Sequence, residues 1–175
     1  MPEGTFTGRF QTIGNVQDAD CVLVQEFTPD PSLIPNRDIV RRLIEDRHLK
    51  HLPQLVSGSI AIGLERMGQN ERVVHVFSGT SADNRGENLG TYGELEQYKE
   101  YADNAGYERP ALITSGYNVG NIVRQAGKLG IANVIVPPNL PRSFDSRSPQ
   151  IWTRNRILWS VFALPRVGAL ALKGH

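Results

Sequence analysis

The chain has 175 residues and a mass of 19.4 kDa, with 39% of residues in the apolar set and 19 basic against 18 acidic side chains, a formal charge of +1. This is one domain's worth of polypeptide, apolar enough to fold, without the strong positive field that duplex DNA or an anionic membrane selects. Its one cysteine, Cys21, excludes an internal disulfide and a thiolate-rich metal site. We therefore expect a single domain over residues 1–175. The first ten residues lack the apolar stretch of a secretory signal. The most apolar region, Leu158 to Leu172, is broken by Ser160, Pro165, Arg166 and Gly168 and falls short of the roughly 20 residues that span a bilayer. These readings predict a soluble, cytoplasmic protein with no membrane insertion and no nucleic-acid partner; homo-oligomer formation is left open.

In chain order, Cys21 to Val24 reads as the first strand, leading into the proline-rich stretch Phe27 to Pro35. In the segment from Asn36, Ile39, Val40, Leu43 and Ile44 share one helical face, and Arg41, Arg42, Glu45 and Asp46 the other. Gln54 to Val56 suits a short strand and Ile60 to Met67 a helix ending at Gly68. Arg72 to Phe77 is a valine- and aromatic-rich strand that feeds the polar loop SGTSADNRGENLGT. Thr91 and Glu94 have the spacing of a capping box. Leu95, Tyr98, Ala102 and Ala105 follow at helical spacing, and Gly106 suits a left-handed stop. Ala111 to Thr114, Val119 to Leu129 and Val134 to Val136 form a strand, helix, strand unit. A proline-rich connection, Pro137 to Arg147, leads to Ser148 and Pro149 as an N-cap and first helical position. The last helix carries Ile151, Trp152, Asn155, Leu158, Trp159 and Phe162, and Val167 to Leu172 suggests an edge strand. The alternation predicts an α/β fold: a Rossmann-like, open, mostly parallel sheet of about five strands with helices on both faces.

In such a sheet, ligands bind beyond the carboxyl ends of the strands. Candidate positions are Gln25 and Glu26 after the first strand, Ser57 to Ser59 after the second, Ser78 to Thr91 after the third, Ser115 to Asn121 after the fourth and Asn139 to Asp145 after the fifth. The turn Thr114-Ser115-Gly116-Tyr117-Asn118 offers amides to a phosphate or carboxylate, with plain helix capping as the alternative. It contains neither a GxGxxG nor a Walker pattern, and ITSGY is not a nucleophile elbow. Asp83, Asn84, Arg85, Glu87, Asn88 and Thr91 in the long loop suit hydrogen bonding to a polar ligand, against the alternative of a solvated loop. From Pro137 onward six basic residues face one acid, against 13 basic and 17 acidic before it. That makes Arg142, Arg147 and Arg154 candidate clamps for an anionic group, with surface pairing as the alternative. Glu45, His48 and His51 are spread around a helix, which is poor for a shared metal. His75, Cys21, Trp152 and Trp159 read as packing residues.

The order of NRGEN (Asn84 to Asn88), the GTYGEL helix start, the ALITSGYN turn, KLGI and LPRSFDSRSPQIWTRN resembles the YdcF-like (SanA and ElyC) superfamily of α/β proteins, over most of the chain. The resemblance implies a crevice for a nucleotide-like or S-adenosylmethionine-type ligand, with Asn84, Glu87 and Asn88 carried over. Arg85 stands where the family has threonine. Asn118 and Asn121 stand where it has histidine and arginine, so a proton shuttle and a guanidinium fork are missing. The leading expectation is a protein that binds a polar, anionic or nucleotide-like small molecule at the strand ends, as a transferase-type enzyme. The ligand-binding set is Gln25, Ser78, Asn84, Glu87, Asn88, Ser115, Tyr117, Asn118, Asn121 and Arg154. The alternative is a noncatalytic regulatory or assembly protein with a degenerate crevice.

Overall fold

A computed structural model describes residues 13–79 and 90–162. Asn84, Glu87, Asn88 and the suggested edge strand Val167 to Leu172 lie outside the described residues. In chain order, the sheet strands and the helices between and after them are β1 (Cys21–Val24), α1 (Ile34–Glu45), β2 (Gln54–Val56), α2 (Gly58–Arg66), β3 (Val73–Val76), α3 (Gly90–Ala105), β4 (Pro110–Ile113) and α4 (Val119–Lys128). The strands form one parallel sheet in the order β3-β2-β1-β4. This is the α/β architecture expected, and the strand order reverses between β1 and β4.

Alternation along the strands sends side chains to opposite faces of the sheet. Val22, Val24, Val56, Ala111 and Ile113 pack with Ile39, Val40 and Leu43 of α1 and Ile60 and Leu64 of α2. Cys21, Leu23, Leu55 and Leu112 pack with Leu95, Tyr98 and Ala102 of α3 and Val119, Ile122 and Ala126 of α4. Helices therefore cover both faces. β1 and β4 are buried at every position, as central parallel strands must be, whereas β3 alternates between half-buried and exposed positions. Where α1 crosses α2, Gly63 lets Val40 approach to 3.0 Å of the point a Cβ would occupy.

Three expectations are corrected. Val134 to Val136 does not form a fifth strand: Ile135 makes one parallel bridge to Ala111 and Val136 one antiparallel bridge to Ile13. Pro137 and Pro138 follow at once and have no N–H to continue a ladder, so among the described residues the sheet has four strands. The last helix is broken. Ile151–Thr153 is a single 3-10 turn, and helical residues 156–162 begin afresh with Asn155 accepting from the Leu158 amide at 2.9 Å. Finally, Ser148 is not the cap of that turn, a position held by Gln150; its buried hydroxyl lies 2.6 Å from that of Thr153. No helix among the described residues is long and apolar enough to cross a membrane.

Candidate functional site

The carboxyl ends of β1, β2 and β4 bring together polar residues with little exposure to water. Gln25, Ser57, Thr114 and Ser115 are each at most 1% exposed, and Glu94 of α3 is 6% exposed. By strand alternation, Gln25, Ser57 and Thr114 point to the same face as Leu23, Leu55 and Leu112, the face covered by α3 and α4. Glu94 reaches them from α3. The Ser57 hydroxyl donates to the Glu94 carboxyl at 3.0 Å and accepts from the Glu26 amide at 3.2 Å. Burial, reinforced by the nearby Glu26 charge, pushes the Glu94 carboxyl up to about 8, so it holds a proton near neutrality. Hydrogen bonding from Ser57, and then from Gln25, acts in the opposite direction without overcoming burial.

Beyond this contact with Glu94 the Gln25 amide makes no hydrogen bond among the described residues, and the Thr114 hydroxyl makes none. Buried polar groups are almost always paired, because leaving one unpaired costs about 1–3 kcal/mol. Gln25 continues the sheet through its backbone amide, which donates to Ile113 at 3.0 Å, so it stands next to Thr114 where the strand order reverses. That is the crevice position of an open α/β sheet.

Glu94 is a residue that the capping-box reading misassigned. α3 begins at Gly90, and Thr91 and Glu94 both lie inside it. Glu94 shares the stripe of Tyr98 and Ala102 at intervals of four, and that position in register with core residues is the signal that marks it as buried. Glu26, also outside the predicted ligand set, turns to the other face of the sheet. Its carboxylate accepts from the Ser59 hydroxyl in a short bond and from the Ser59 amide at 3.4 Å. It thereby supplies an acceptor at the start of α2, where the Ser57 side chain makes no cap bond. Asn36 donates at 3.0 Å to the Ser59 hydroxyl and binds the backbone of Phe27, Thr28 and Asp30. The loop after β1 is thus tied to α1.

The turn after β4 is internally satisfied. The Gly116 amide donates to Pro141 at 2.8 Å, that of Tyr117 to the Ser115 hydroxyl at 3.4 Å, and that of Asn118 to the Ser115 carbonyl at 2.8 Å. Asn121 spends its side-chain oxygen on Arg124 and Gln125 of its own helix. Tyr117 instead joins a ring cluster above this end of the sheet, 4.6 Å from Phe144 and 6.4 Å from Trp159, with Phe27 5.1 Å from Trp159. Ser78 is exposed and clamped by Gln97 of α3, which accepts from its amide and donates to its carbonyl, both at 2.8 Å. Arg154 is exposed and donates through Nε to the Ser148 carbonyl at 2.7 Å. The guanidinium that does lie over the rim is Arg142, whose Nε is 3.1 Å from where a Cβ on Gly116 would stand. Of the predicted set, Gln25 and Ser115 therefore sit at the buried strand ends, Tyr117, Asn118 and Asn121 lie on the turn and first turn of α4, and Ser78 and Arg154 are bound elsewhere.

Two open clefts lie away from this site. One, of about 570 Å³, lies along the second half of α1, between Arg42, Asp46, His48 and Asn139. The other, of about 210 Å³, lies between the C-terminal ends of α3 and α4.

Fold and site define a doubly wound parallel α/β protein with a buried acid, amide and hydroxyl cluster at its topological switch point. In comparison with known proteins, no family model, no curated protein and no solved structure matches the chain.

Proposed function

We propose that the protein binds a small, polar, nucleotide-like molecule at the carboxyl ends of β1, β2 and β4, with Gln25, Ser57, Glu94 and Thr114 as its hydrogen-bonding floor. The observation that carries this reading is the pair of buried groups with unmet hydrogen-bonding capacity, the Gln25 amide and the Thr114 hydroxyl, at the reversal of strand order. A fold tolerates such groups where a ligand completes them. An S-adenosylmethionine-type ligand and transferase chemistry belong to the same reading, in line with the likeness to the YdcF-like superfamily. Glu94 is the group placed to give or take a proton, since its carboxyl titrates near neutrality.

Thermal-shift measurements against adenine nucleotides, S-adenosylmethionine and sugar phosphates test it, because a ligand of the folded state raises the midpoint by mass action. A saturable shift supports the reading, and the absence of any shift across the panel rejects it. One observation favours a noncatalytic regulatory or assembly role instead: the amides of Gly116, Tyr117 and Asn118 are used within the protein. Under that second reading the panel gives no shift.

A further inference from the structure

Helix N-termini at the strand ends are the ordinary phosphate sites of doubly wound proteins. At α1, α2 and α4, amides of the entering turn or first turn already have acceptors within the protein. The first amide of α1, that of Ile34, donates to Asp145 at 3.2 Å. The Ser59 amide in the first turn of α2 donates to Glu26 at 3.4 Å. The three amides of the turn that enters α4 donate to the Ser115 hydroxyl, the Ser115 carbonyl and the Pro141 carbonyl. Two of these acceptors are carboxylates, which repel a phosphate as well as occupy its seat.

The groups left with unmet hydrogen-bonding capacity are of a different kind. Gln25 offers a donor and an acceptor side by side, and Thr114 offers a hydroxyl that can act as either. Glu94 and Ser57 adjoin them, and Glu26 is the neighbouring charge. An adjacent donor and acceptor pair in register with the like pair on a nucleobase or carboxamide, as glutamine pairs with an adenine edge. A phosphate presents acceptors alone and leaves half of the glutamine amide unmet.

We infer that the Gln25 and Thr114 side chains receive an uncharged edge bearing adjacent donor and acceptor, a nucleobase or a carboxamide, and that any phosphate of the ligand lies outside this buried cluster. This inference rests on the ligand-binding reading above and specifies which end of the molecule enters.

Calorimetric titration of the whole chain with adenosine, guanosine and nicotinamide, set against AMP and ribose 5-phosphate, tests it. Binding of at least one uncharged probe is expected. Gln25→Leu and Thr114→Val should each weaken that binding by about tenfold or more, the scale of one lost buried hydrogen bond, while the midpoint of the ligand-free protein stays level or rises. Thr114→Val preserves the test should Gln25→Leu fail to fold. Binding of AMP or ribose 5-phosphate with none of the uncharged probes overturns this inference and leaves the ligand-binding reading standing. An uncharged probe whose affinity is untouched by both variants also overturns it. No binding by any probe, together with a negative thermal-shift panel, rejects both.

Discussion

Asp145 accepts a hydrogen bond from the backbone amide of Ile34, 111 residues earlier in the chain. The residue at the cap position of α1 is Leu33, which has no side-chain oxygen to offer. The long connection after α4 thus supplies the cap that the local sequence lacks, and the Ser143 hydroxyl adds a short bond to Asp38 on the same helix.

Removing that carboxylate should loosen both segments. Asp145→Ala is expected to destabilise the fold by about 1–2 kcal/mol, the range of lost N-caps. Arg147 also pairs with this carboxylate, from a side chain that is itself 65% exposed. Hydrogen bonding from Arg147, then from the backbone amides of Arg147 and Ile34, holds the Asp145 carboxyl well below its ordinary value of 3.8. Its contribution is therefore complete above that value and is lost as pH falls beneath it. Chemical denaturation between pH 2 and pH 5 should show a shallower acid limb for Asp145→Asn than for the parent.

Glu94 works in the opposite sense. Its folded value of about 8 exceeds the ordinary 4.5, so the unfolded chain releases this proton first as pH rises. Stability should be greatest below pH 4.5 and decline up to about pH 8 on account of this group. Each tenfold gain in proton affinity on folding corresponds to about 1.4 kcal/mol, so the decline is of the order of a few kcal/mol. Glu94→Gln keeps an acceptor for Ser57 and should flatten the curve, making the variant the more stable protein at pH 8.5 and no more stable at pH 4. A parent curve without this decline would show that Glu94 is ionised in the folded state.

The α1 and α2 crossing sets a third test. A Cβ at Gly63 would meet Val40 Cγ2 at 3.0 Å. Gly63→Ala gains about 1 kcal/mol of helix propensity against an overpacking cost of roughly 1–3 kcal/mol, so a net loss of about 0–2 kcal/mol is expected from the balance of the two. Gly63→Leu should lose more. Val40→Ala in the Gly63→Leu background should recover part of that loss, and coupling measured by a double-mutant cycle checks the contact.

Cys21 should be inert in the native state. It has no exposure, its sulfur is 3.6 Å from the Tyr98 hydroxyl, and burial pushes the thiol up to about 12. Ellman's reagent at pH 8 is expected to titrate no thiol until denaturant unfolds the chain, and one thereafter. Prompt native reaction would show that the start of β1 opens.

Much of this architecture is legible in periodicity. The buried stripe of α1, with Ile39, Val40 and Leu43, and that of α4, with Val119, Ile122 and Ala126, follow from spacings that survive packing because each helix has one apolar face. Gln54 to Val56 is harder to tell from a loop, since three residues show no period, yet it pairs on both sides. The site is legible only in outline. Gln25 stands out as the first polar residue after an apolar strand, but Thr114 reads as part of the strand. Glu94 matches a local cap motif whose geometry the tertiary fold overrides. Asn155 matches the helical period while serving as the start of a new helix. At Glu94 a short-range rule and a contact with Ser57, 37 residues earlier, compete for one side chain, and the contact prevails.

The sheet order has a consequence for synthesis on the ribosome. β1 lies between β2 and β4, and its partner on the second side is 89 residues further on, as Cys21 pairs with Pro110. Until Ile113 has left the exit tunnel, one edge of the central strand has no native neighbour. A nascent chain stalled after α2 is accordingly the species most exposed to mispairing and to capture by chaperones.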